Sequence, residues 1–239
     1  MKFLYRCNRG LGDHIICKGI YNQIPKEYDE VIVITDQECY KPSLKHLYDS
    51  RSFILTKEEF DDLCEHHYLD EITEKDCLLS GFEWINRFDK FRTKWIHHYS
   101  NGIYKTFLEQ FYAQVKLNPE ISWTKFSIDN RDISEENRIL NLYKNKKIFL
   151  HDDFQRGYII KNEYKIGKDY IFPDKNITDN IFNWVPFIQQ CEEIHVIDSC
   201  FLNLIDRIDI NSNAQLYLHD YAKRWEVPTL KKNWTIIKE

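Results

Sequence analysis

The opening residues constrain the fold of this chain most strongly. A short apolar run, Lys2–Arg6, precedes two glycines that flank one residue, Gly10-Leu11-Gly12, and an amphipathic segment follows. This order predicts a strand, a tight turn and a helix, with Asp13 at or near the helix start. Three of the seven glycines lie between Gly10 and Gly19. We therefore expect positive φ, or a close approach of another group, at these positions.

The rest of the first half continues the alternation of strands and helices. The β-branched run 30–35 predicts a buried parallel strand, which completes a βαβ unit. The segment 70–92 has a mixed pattern that gives no order of elements. The other predicted elements are a helix over 42–48, a strand over 52–55, a helix over 57–66 capped by Thr56, and an amphipathic helix over 103–115.

A polar stretch, 127–136, separates this half from a second one with the same kind of pattern. The predicted elements there are strands over 147–151, 193–198 and 215–219, and helices ending at Tyr143 and covering 176–190 and 199–207. The run 234–237 closes the chain without an assigned element. The sequence thus predicts an α/β protein of two Rossmann-like halves. We expect domains at 1–130 and 131–239.

Charge and cysteine usage exclude several classes of protein. A net charge of −5 and a pI near 6.0 argue against a nucleic-acid binder. No apolar run reaches the ~18 residues of a membrane span. The chain enters its first strand without a signal-peptide pattern, so we expect a cytoplasmic protein.

Seven cysteines without a C-x-x-C pair indicate reduced thiols. The histidine pairs 66–67 and 97–98 are expected to be structural or on the surface, and no metal site is expected.

Polar loops follow three of the predicted strands: Asn8–His14, Asp152–Gly157 and Asp198–Cys200. Ligands of open α/β sheets bind beyond the carboxyl ends of strands, so the loops line one cleft if the two halves face each other. Gly10-x-Gly12 is not a dinucleotide fingerprint, because Ile15 stands where the third glycine belongs. The absence of Gly-Lys-Ser/Thr also excludes a P-loop.

Two of these loops have features that suit an anion. Asp198-Ser199-Cys200 would offer N–H groups and a hydroxyl where a strand leads into a helix, although Asp198 or Ser199 can equally be a simple N-cap. The Arg156 guanidinium suits a diphosphate, and its alternative is a salt bridge with Asp152 or Asp153.

Together these motifs resemble GT-B glycosyltransferases of the heptosyltransferase and fucosyltransferase-like kind. The resemblance rests on Gly10-Leu11-Gly12-Asp13-His14, on His151-Asp152-Asp153-x-x-Arg156-Gly157, and on Ile197–Phe201. It implies a compact GT-B-like fold, with two Rossmann-like halves facing a cleft. The implied acceptor loop is Arg9, Gly10, Leu11 and Gly12. The implied donor-diphosphate residues are Arg156, Asp198, Ser199, Cys200 and Phe201.

The resemblance also assigns chemistry. Asp13 takes the place of the catalytic base, and His14 is a weaker alternative. The family's donor-loop lysine has no clean match, so Lys161 or Lys165 would have to replace it, and the family's Thr-Gly-x-x-His is missing. The chain contains no Asp-x-Asp, the motif with which GT-A transferases hold a metal ion.

The implied function is therefore the transfer of a sugar from a nucleotide-diphosphate donor to a glycan or another hydroxyl acceptor. We expect the transfer to be inverting, without a metal or cofactor. Three alternatives remain: a non-catalytic nucleotide- or glycan-binding module, an NAD-dependent oxidoreductase, and a hydrolase acting through Ser199 or Cys200. The last lacks a G-x-S-x-G elbow.

Overall fold

The structure is a computed structural model that describes residues 1–7, 10–65, 77–79, 106–221 and 228–238. The chain forms two compact units, Met1–Asn130 and Arg131–Glu239, called unit 1 and unit 2 below. Within the described ranges, no helix is long and apolar enough to cross a membrane. Arg9 and both histidine pairs lie outside the described residues.

Unit 1 contains the strands β1 (Lys2–Arg6), β2 (Glu30–Thr35), β3 (Ser52–Thr56) and β4 (Cys77–Leu79). They form a parallel sheet with the order β3-β2-β1-β4. β2 is an interior strand of this sheet and is buried along almost its whole length, as is typical of a parallel sheet whose faces are covered by helices. The strands predicted at the start of the chain, at 30–35 and at 52–55 are therefore confirmed. β4 lies in the segment whose elements the sequence did not order.

The helices of unit 1 follow local sequence signals closely. They are α1 (Leu11–Ile16), α2 (Lys18–Tyr21), α3 (Lys41–Leu47), α4 (Lys57–Glu65), α5 (Phe107–Gln114) and α6 (Ile121–Thr124). At the start of α4, the Glu59 N–H donates to Thr56 Oγ1 at 3.2 Å, and the Glu59 carboxylate accepts from the Thr56 N–H at 2.7 Å. This reciprocal cap confirms Thr56 as the predicted N-cap.

Because Gly19 has no side chain, α2 and α6 can approach each other closely at this position. A Cβ at Gly19 would lie 2.3 Å from the carbonyl oxygen of Ile121, so no side chain fits there. The expected close approach is confirmed at this position. At Gly10 the expectation of positive φ is wrong, because φ is −104° and the residue is in extended backbone at the helix N-cap.

Unit 2 contains the strands β5 (Ile148–His151), β6 (Tyr170–Ile171), β7 (Glu193–Ile197), β8 (Gln215–Asp220) and β9 (Trp234–Lys238). They form a second parallel sheet, with the order β6-β5-β7-β8-β9. β5 and β7 are neighbours although more than forty residues separate them in sequence. Because they are parallel, the loops that follow them begin at the same edge of the sheet.

The helices of unit 2 include α7 (Ile133–Leu142), α8 (Val185–Gln189) and α9 (Cys200–Ile205). The helix predicted over 176–190 starts later than expected: Asn180 caps a 3₁₀ turn, Ile181–Trp184, which runs into α8. The Asn180 side chain accepts from the Phe182 N–H at 3.0 Å, which fixes this start. Pro186 lies in the first turn of α8, where its missing N–H breaks no hydrogen bond.

Candidate functional site

The loop after β5 forms a tight hairpin at the carboxyl edge of the unit 2 sheet. The backbone N–H groups of Asp153 and Tyr158 each donate to the other residue's carbonyl oxygen, at 2.9 and 3.0 Å. Between them, the Gly157 N–H donates to the Phe154 carbonyl at 3.2 Å. Gly157 has φ of +76°, a conformation that favours glycine. The hairpin backbone is therefore fixed by its own hydrogen bonds.

Arg156, at the tip of this hairpin, is anchored at two of its guanidinium nitrogens. Its Nε pairs with the carboxylate of Asp153, and its Nη2 donates to the backbone carbonyl of Asp198 at 2.7 Å. Burial tends to raise the pKa of Asp153, but the bonds from Arg156 outweigh it and hold that pKa below its usual value. Within the described part of the chain, Nη1 has no hydrogen-bond partner. The arginine is thus pre-oriented with a donor available to an anion.

Of the two sequence interpretations of Arg156, the structure contains the salt bridge, and the diphosphate contact stays a prediction. The salt bridge that the sequence offered as an alternative exists, with Asp153 as its partner. The same residue also reaches the turn after β7, through the Asp198 carbonyl. The two loops predicted to hold a diphosphate lie together in unit 2, and Asp198 takes part through its backbone.

Ser199 is the N-cap residue of α9, but its side chain makes no capping hydrogen bond. Its hydroxyl instead lies 3.2 Å from Nδ1 of His151, the last residue of β5. Burial lowers the pKa of His151 to about 4, with Asp153 opposing the shift and Arg156 adding to it. His151 is therefore neutral at pH 7, and its tautomer decides whether Nδ1 donates to the Ser199 hydroxyl or accepts from it.

Two other predicted donor residues have mainly structural surroundings. Phe201 was predicted as a diphosphate-binding residue, but its side chain is buried, with its ring centroid 4.7 Å from that of His151 and 5.2 Å from that of Phe149, so only its backbone is left for such a role. Burial raises the pKa of the Cys200 thiol to about 11, although nearby N–H groups oppose the shift. A neutral thiol is a poor nucleophile, which disfavours a cysteine hydrolase. Cys200 is the first residue of α9, and its thiol has no assigned role in ligand binding.

A buried ion pair anchors the segment after the hairpin. Asp152 accepts from the Lys165 ammonium at 2.7 Å through one carboxylate oxygen, and from the Ile160 N–H at 2.7 Å through the other. The Asp152 side chain is fully buried and that of Lys165 nearly so. Lys165, which the sequence offered as a replacement for the family's lysine, is therefore engaged in holding the loop.

In unit 1, Asp13 lies at the third position of α1. Its carboxylate accepts from the Gly10 N–H at 2.9 Å, so it caps its own helix. Asp13 and Gly12 are partly exposed at the carboxyl edge of the unit 1 sheet, just beyond β1. The predicted position of Asp13 at the helix start is confirmed, and the carboxylate lies where a ligand of this sheet would bind.

The side chains of two neighbouring residues face the interior. His14 is completely buried, with Nδ1 2.7 Å from the Tyr48 hydroxyl. Burial, helped by the charge of Arg6, lowers the pKa of His14 to about 3. A histidine enclosed in this way cannot reach an acceptor hydroxyl, so the alternative assignment of His14 as base is wrong. Leu11 is also buried and belongs to the core rather than to an acceptor surface.

Several polar contacts near these sites had no assigned role in the sequence interpretation. Arg6, the last residue of β1, is buried and donates to Asp36, just after β2, at 3.1 Å. His151 was part of a quoted motif without a role of its own. Their positions in the sequence could have indicated a role, because Arg6, Asp36 and His151 each lie at or just beyond the carboxyl end of a strand. Among the residues that the structure describes, no group of three or more His, Cys, Asp and Glu side chains is arranged to hold a metal ion.

Comparisons with known proteins bear on the fold. No protein-family model matches the sequence, and no curated protein matches it. A solved structure, that of E. coli ADP-heptose lps heptosyltransferase II, matches with a TM-score of 0.63 over 99% of this chain and 90% of that chain. The two sequences are 11% identical over this match, so the similarity concerns the fold. The predicted α/β architecture with parallel sheets is confirmed, and it is similar to that of a GT-B heptosyltransferase.

Proposed function

We propose that this chain is a glycosyltransferase that moves a sugar from a nucleotide-diphosphate donor to a hydroxyl acceptor. The observation that carries the proposal is the doubly anchored Arg156 guanidinium at the carboxyl edge of the unit 2 sheet. A guanidinium held in this way can donate to a phosphate oxygen without losing further side-chain freedom. The similarity in fold to a heptosyltransferase supports a nucleotide sugar as the source of that phosphate.

In the proposed reaction, unit 2 binds the donor and stabilises the leaving group. As the bond between the anomeric carbon and the phosphate oxygen breaks, negative charge accumulates on the departing diphosphate. Arg156 Nη1 would donate to that charge. The Ser199 hydroxyl would also donate when the His151 ring carries its proton on Nδ1, because the ring then donates to Ser199 Oγ and the hydroxyl proton is left for the phosphate. α9 has six residues, so we assign the main electrostatic contribution to Arg156 rather than to the helix dipole.

Unit 1 supplies the base in this proposal. The Asp13 carboxylate would accept the proton of the acceptor hydroxyl as that oxygen forms its bond to the anomeric carbon. Its hydrogen bond from the Gly10 N–H fixes the direction of the carboxylate. Asp13 is preferred to His14 because it is partly exposed whereas His14 is fully enclosed.

The proposed transfer is a single displacement, which inverts the configuration of the anomeric carbon, and it needs no metal ion or cofactor. The support for metal independence is the lack of Asp-x-Asp in the sequence, together with an arginine placed to take over charge stabilisation. The partners are thus a nucleotide sugar and a hydroxyl acceptor. The site of action is proposed to be the cytoplasm.

One observation favours a second candidate, a non-catalytic nucleotide- or glycan-binding module. Asp13 already has a structural task, since its carboxylate caps α1. If that is its whole role, the chain would bind a nucleotide diphosphate and transfer nothing.

The test combines binding with turnover. The purified chain is screened by thermal shift against ADP-, GDP- and UDP-sugars, because a ligand at a hundredfold excess over its Kd stabilises the fold by ~2.7 kcal/mol. Donors that raise Tm are then assayed for nucleotide release with a panel of glycan acceptors, with and without EDTA. We expect a donor-dependent Tm increase and acceptor-dependent release that EDTA does not inhibit.

The outcomes separate the candidates. A Tm increase without release under any condition favours the binding module. Release that stops with EDTA and returns with Mg²⁺ contradicts metal independence but leaves the glycosyltransferase proposal in place. If no nucleotide diphosphate or sugar nucleotide changes Tm, the assignment of unit 2 as a donor-binding unit is wrong.

A further inference from the structure

Phe154, in the hairpin after β5, exposes a large aromatic ring to solvent. Its exposed fraction is 70%, compared with 50% for Phe53, an exposed phenylalanine of unit 1. A single apolar side chain on a surface is ordinary. What distinguishes Phe154 is its surroundings, because it shares a four-residue turn with Arg156.

This turn presents the ring at little entropic cost. The Phe154 carbonyl accepts from the Gly157 N–H at 3.2 Å, and the Asp153–Tyr158 backbone pair closes the hairpin on both sides. The Arg156 N–H also donates to the Asp153 carboxylate, at 3.0 Å. A ligand that stacks on Phe154 would therefore meet a backbone that is already ordered.

A neighbouring ring supports Phe154 on one side. The centroid of Phe172 lies 6.3 Å from that of Phe154, with an angle of 58° between the planes. Phe172 is itself held by Tyr170 at 5.1 Å and by the Lys165 ammonium at 5.4 Å. The Phe154 ring is thus backed by an aromatic cluster while most of its area remains open.

Phe154 and Arg156 are close enough in sequence to bind the base and the phosphates of one nucleotide. Residues two apart have Cα atoms at most ~7 Å apart, so the two side chains start close enough for one ligand of nucleotide size to contact both. In a nucleoside diphosphate, one ribose joins the flat base to the phosphates. Arg156 suits the phosphates, and an open aromatic ring suits the base, since every base has a π-face.

We propose that Phe154 is the stacking surface for the nucleobase of the donor. This inference rests on the proposed function, because it takes the Arg156 site to be the diphosphate site. Stacking reads the face of a base and not its edge, so Phe154 would support affinity without selecting one base. Phe154 is thus a substrate-binding residue that neither the motifs nor the fold comparison assigns.

The test compares ligands with and without a base. Binding of ADP, GDP, UDP and inorganic pyrophosphate to the full chain is measured by calorimetry for wild type, Phe154→Ala, Phe154→Trp and Arg156→Ala. Ile166→Ala is the control for exposed apolar surface, since Ile166 is another highly exposed apolar side chain of unit 2, with an exposed fraction of 77%. We expect Phe154→Ala to weaken the tightest-binding nucleoside diphosphate by about 5- to 100-fold and to leave pyrophosphate unchanged. Phe154→Trp should restore the affinity, and Ile166→Ala should have no effect.

Other results would overturn the inference in distinguishable ways. If Phe154→Ala binds nucleoside diphosphates like wild type while Arg156→Ala loses them, the diphosphate site stands and the stacking role is wrong. If Phe154→Ala loses pyrophosphate equally, its effect is on the hairpin and not on a base. If binding is intact and the elution volume in size-exclusion chromatography changes, Phe154 covers another protein surface. If wild type binds none of these ligands, the proposed function fails as well.

Discussion

The two units differ in how they use the polar residues where a strand leads into a helix. In unit 1, after β1, Asp13 caps its own helix and His14 points at Tyr48 in the interior. In unit 2, after β7, the Ser199 hydroxyl caps nothing, and the carbonyl of Asp198 holds an arginine from the neighbouring loop. The unit 1 side chains therefore largely serve the fold. The unit 2 side chains are oriented with donor capacity left for an anion, which makes unit 2 the better supported half of the proposal.

The largest expected effect comes from Asp13→Asn in unit 1. Asparagine keeps an oxygen that can accept from the Gly10 N–H, so the helix cap survives while the base is removed. We expect kcat to fall by about 10²- to 10⁴-fold, the usual range for loss of a general base, while the Kd of the nucleotide is unchanged. Steady-state kinetics, calorimetry and Tm on the same preparation provide the measurement.

Glu109→Gln is the matched control for that variant. Glu109 occupies the same third position in α5, where it forms a reciprocal cap with Thr106. Both variants remove one acidic charge from a first helical turn of unit 1. If they have the same effect on kcat, or if Asp13→Asn keeps activity within tenfold of wild type, then Asp13 serves only as a cap.

The next effect concerns unit 2, through Arg156→Ala. Loss of a charge-assisted hydrogen bond to phosphate should weaken nucleoside diphosphate binding by ~1.5–3 kcal/mol, about 10- to 150-fold. Arg156→Lys should recover little of this, because one ammonium cannot contact Asp153, the Asp198 carbonyl and a phosphate together. Calorimetry with the nucleoside diphosphates provides the measurement.

Arg138→Ala controls for the loss of a surface arginine. Arg138 also pairs with a carboxylate, that of Glu135, and also donates to a backbone carbonyl, that of Ile177 at 2.8 Å. Its contacts thus resemble those of Arg156, but it lies within α7 and not in a loop that follows a strand. Equal affinities for Arg156→Ala and wild type would contradict the assignment of the diphosphate to unit 2.

Acid should destabilise both units through histidines whose pKa values are lowered by burial. Burial lowers the pKa of His14 to about 3 and that of His151 to about 4, whereas both have pKa values near ~6.5 in the unfolded chain. Between these values the unfolded chain binds protons that the folded chain does not. The free energy of unfolding is therefore highest above pH ~6.5. It decreases as the pH falls, by up to ~1.4 kcal/mol per pH unit for each histidine.

Urea unfolding at several pH values between 7.5 and 5 measures this slope. His14→Gln should reduce it by removing the unit 1 contribution, and His151→Gln should do the same for unit 2. His195 and His219 add to the slope, since burial lowers the pKa of both. A stability that does not change over this range would contradict the buried, neutral state of these side chains.

Local sequence signals were sufficient for most of the regular elements. Runs of apolar, β-branched residues gave β2 and β7, and a Thr with a Glu three positions later gave the start of α4. The elements that escaped prediction are short ones such as β6 and α6, whose length carries almost no periodic signal. The helix predicted over 176–190 began too early because Asn180 provides a cap that the apolar periodicity does not reveal.

The candidate site was predictable in its positions but not in its contacts. That loops after neighbouring strands would share one edge follows from the α/β pattern. Which side chains point inward does not, since a helical segment such as 11–16 has to bury one face and the sequence left open which one. The Arg156–Asp198 contact spans 42 residues and the Ser199–His151 contact spans 48, so both depend on the order of strands in the sheet.

The smallest expected effect comes from Ser199→Ala. This variant tests whether a polar residue at a helix start caps the helix or binds a ligand. If Ser199 capped α9, its loss would cost ~1 kcal/mol of stability. Since the hydroxyl faces His151 instead, we expect the free energy of unfolding to change by less than ~0.5 kcal/mol, with nucleoside diphosphate binding about 2- to 10-fold weaker. Asp132→Ala, which removes a side chain that does cap its helix, α7, should show the opposite pattern of lower stability and unchanged binding. If Ser199→Ala lost stability without a binding defect, the polar residues at the start of α9 would serve only the fold, as those at the start of α1 largely do.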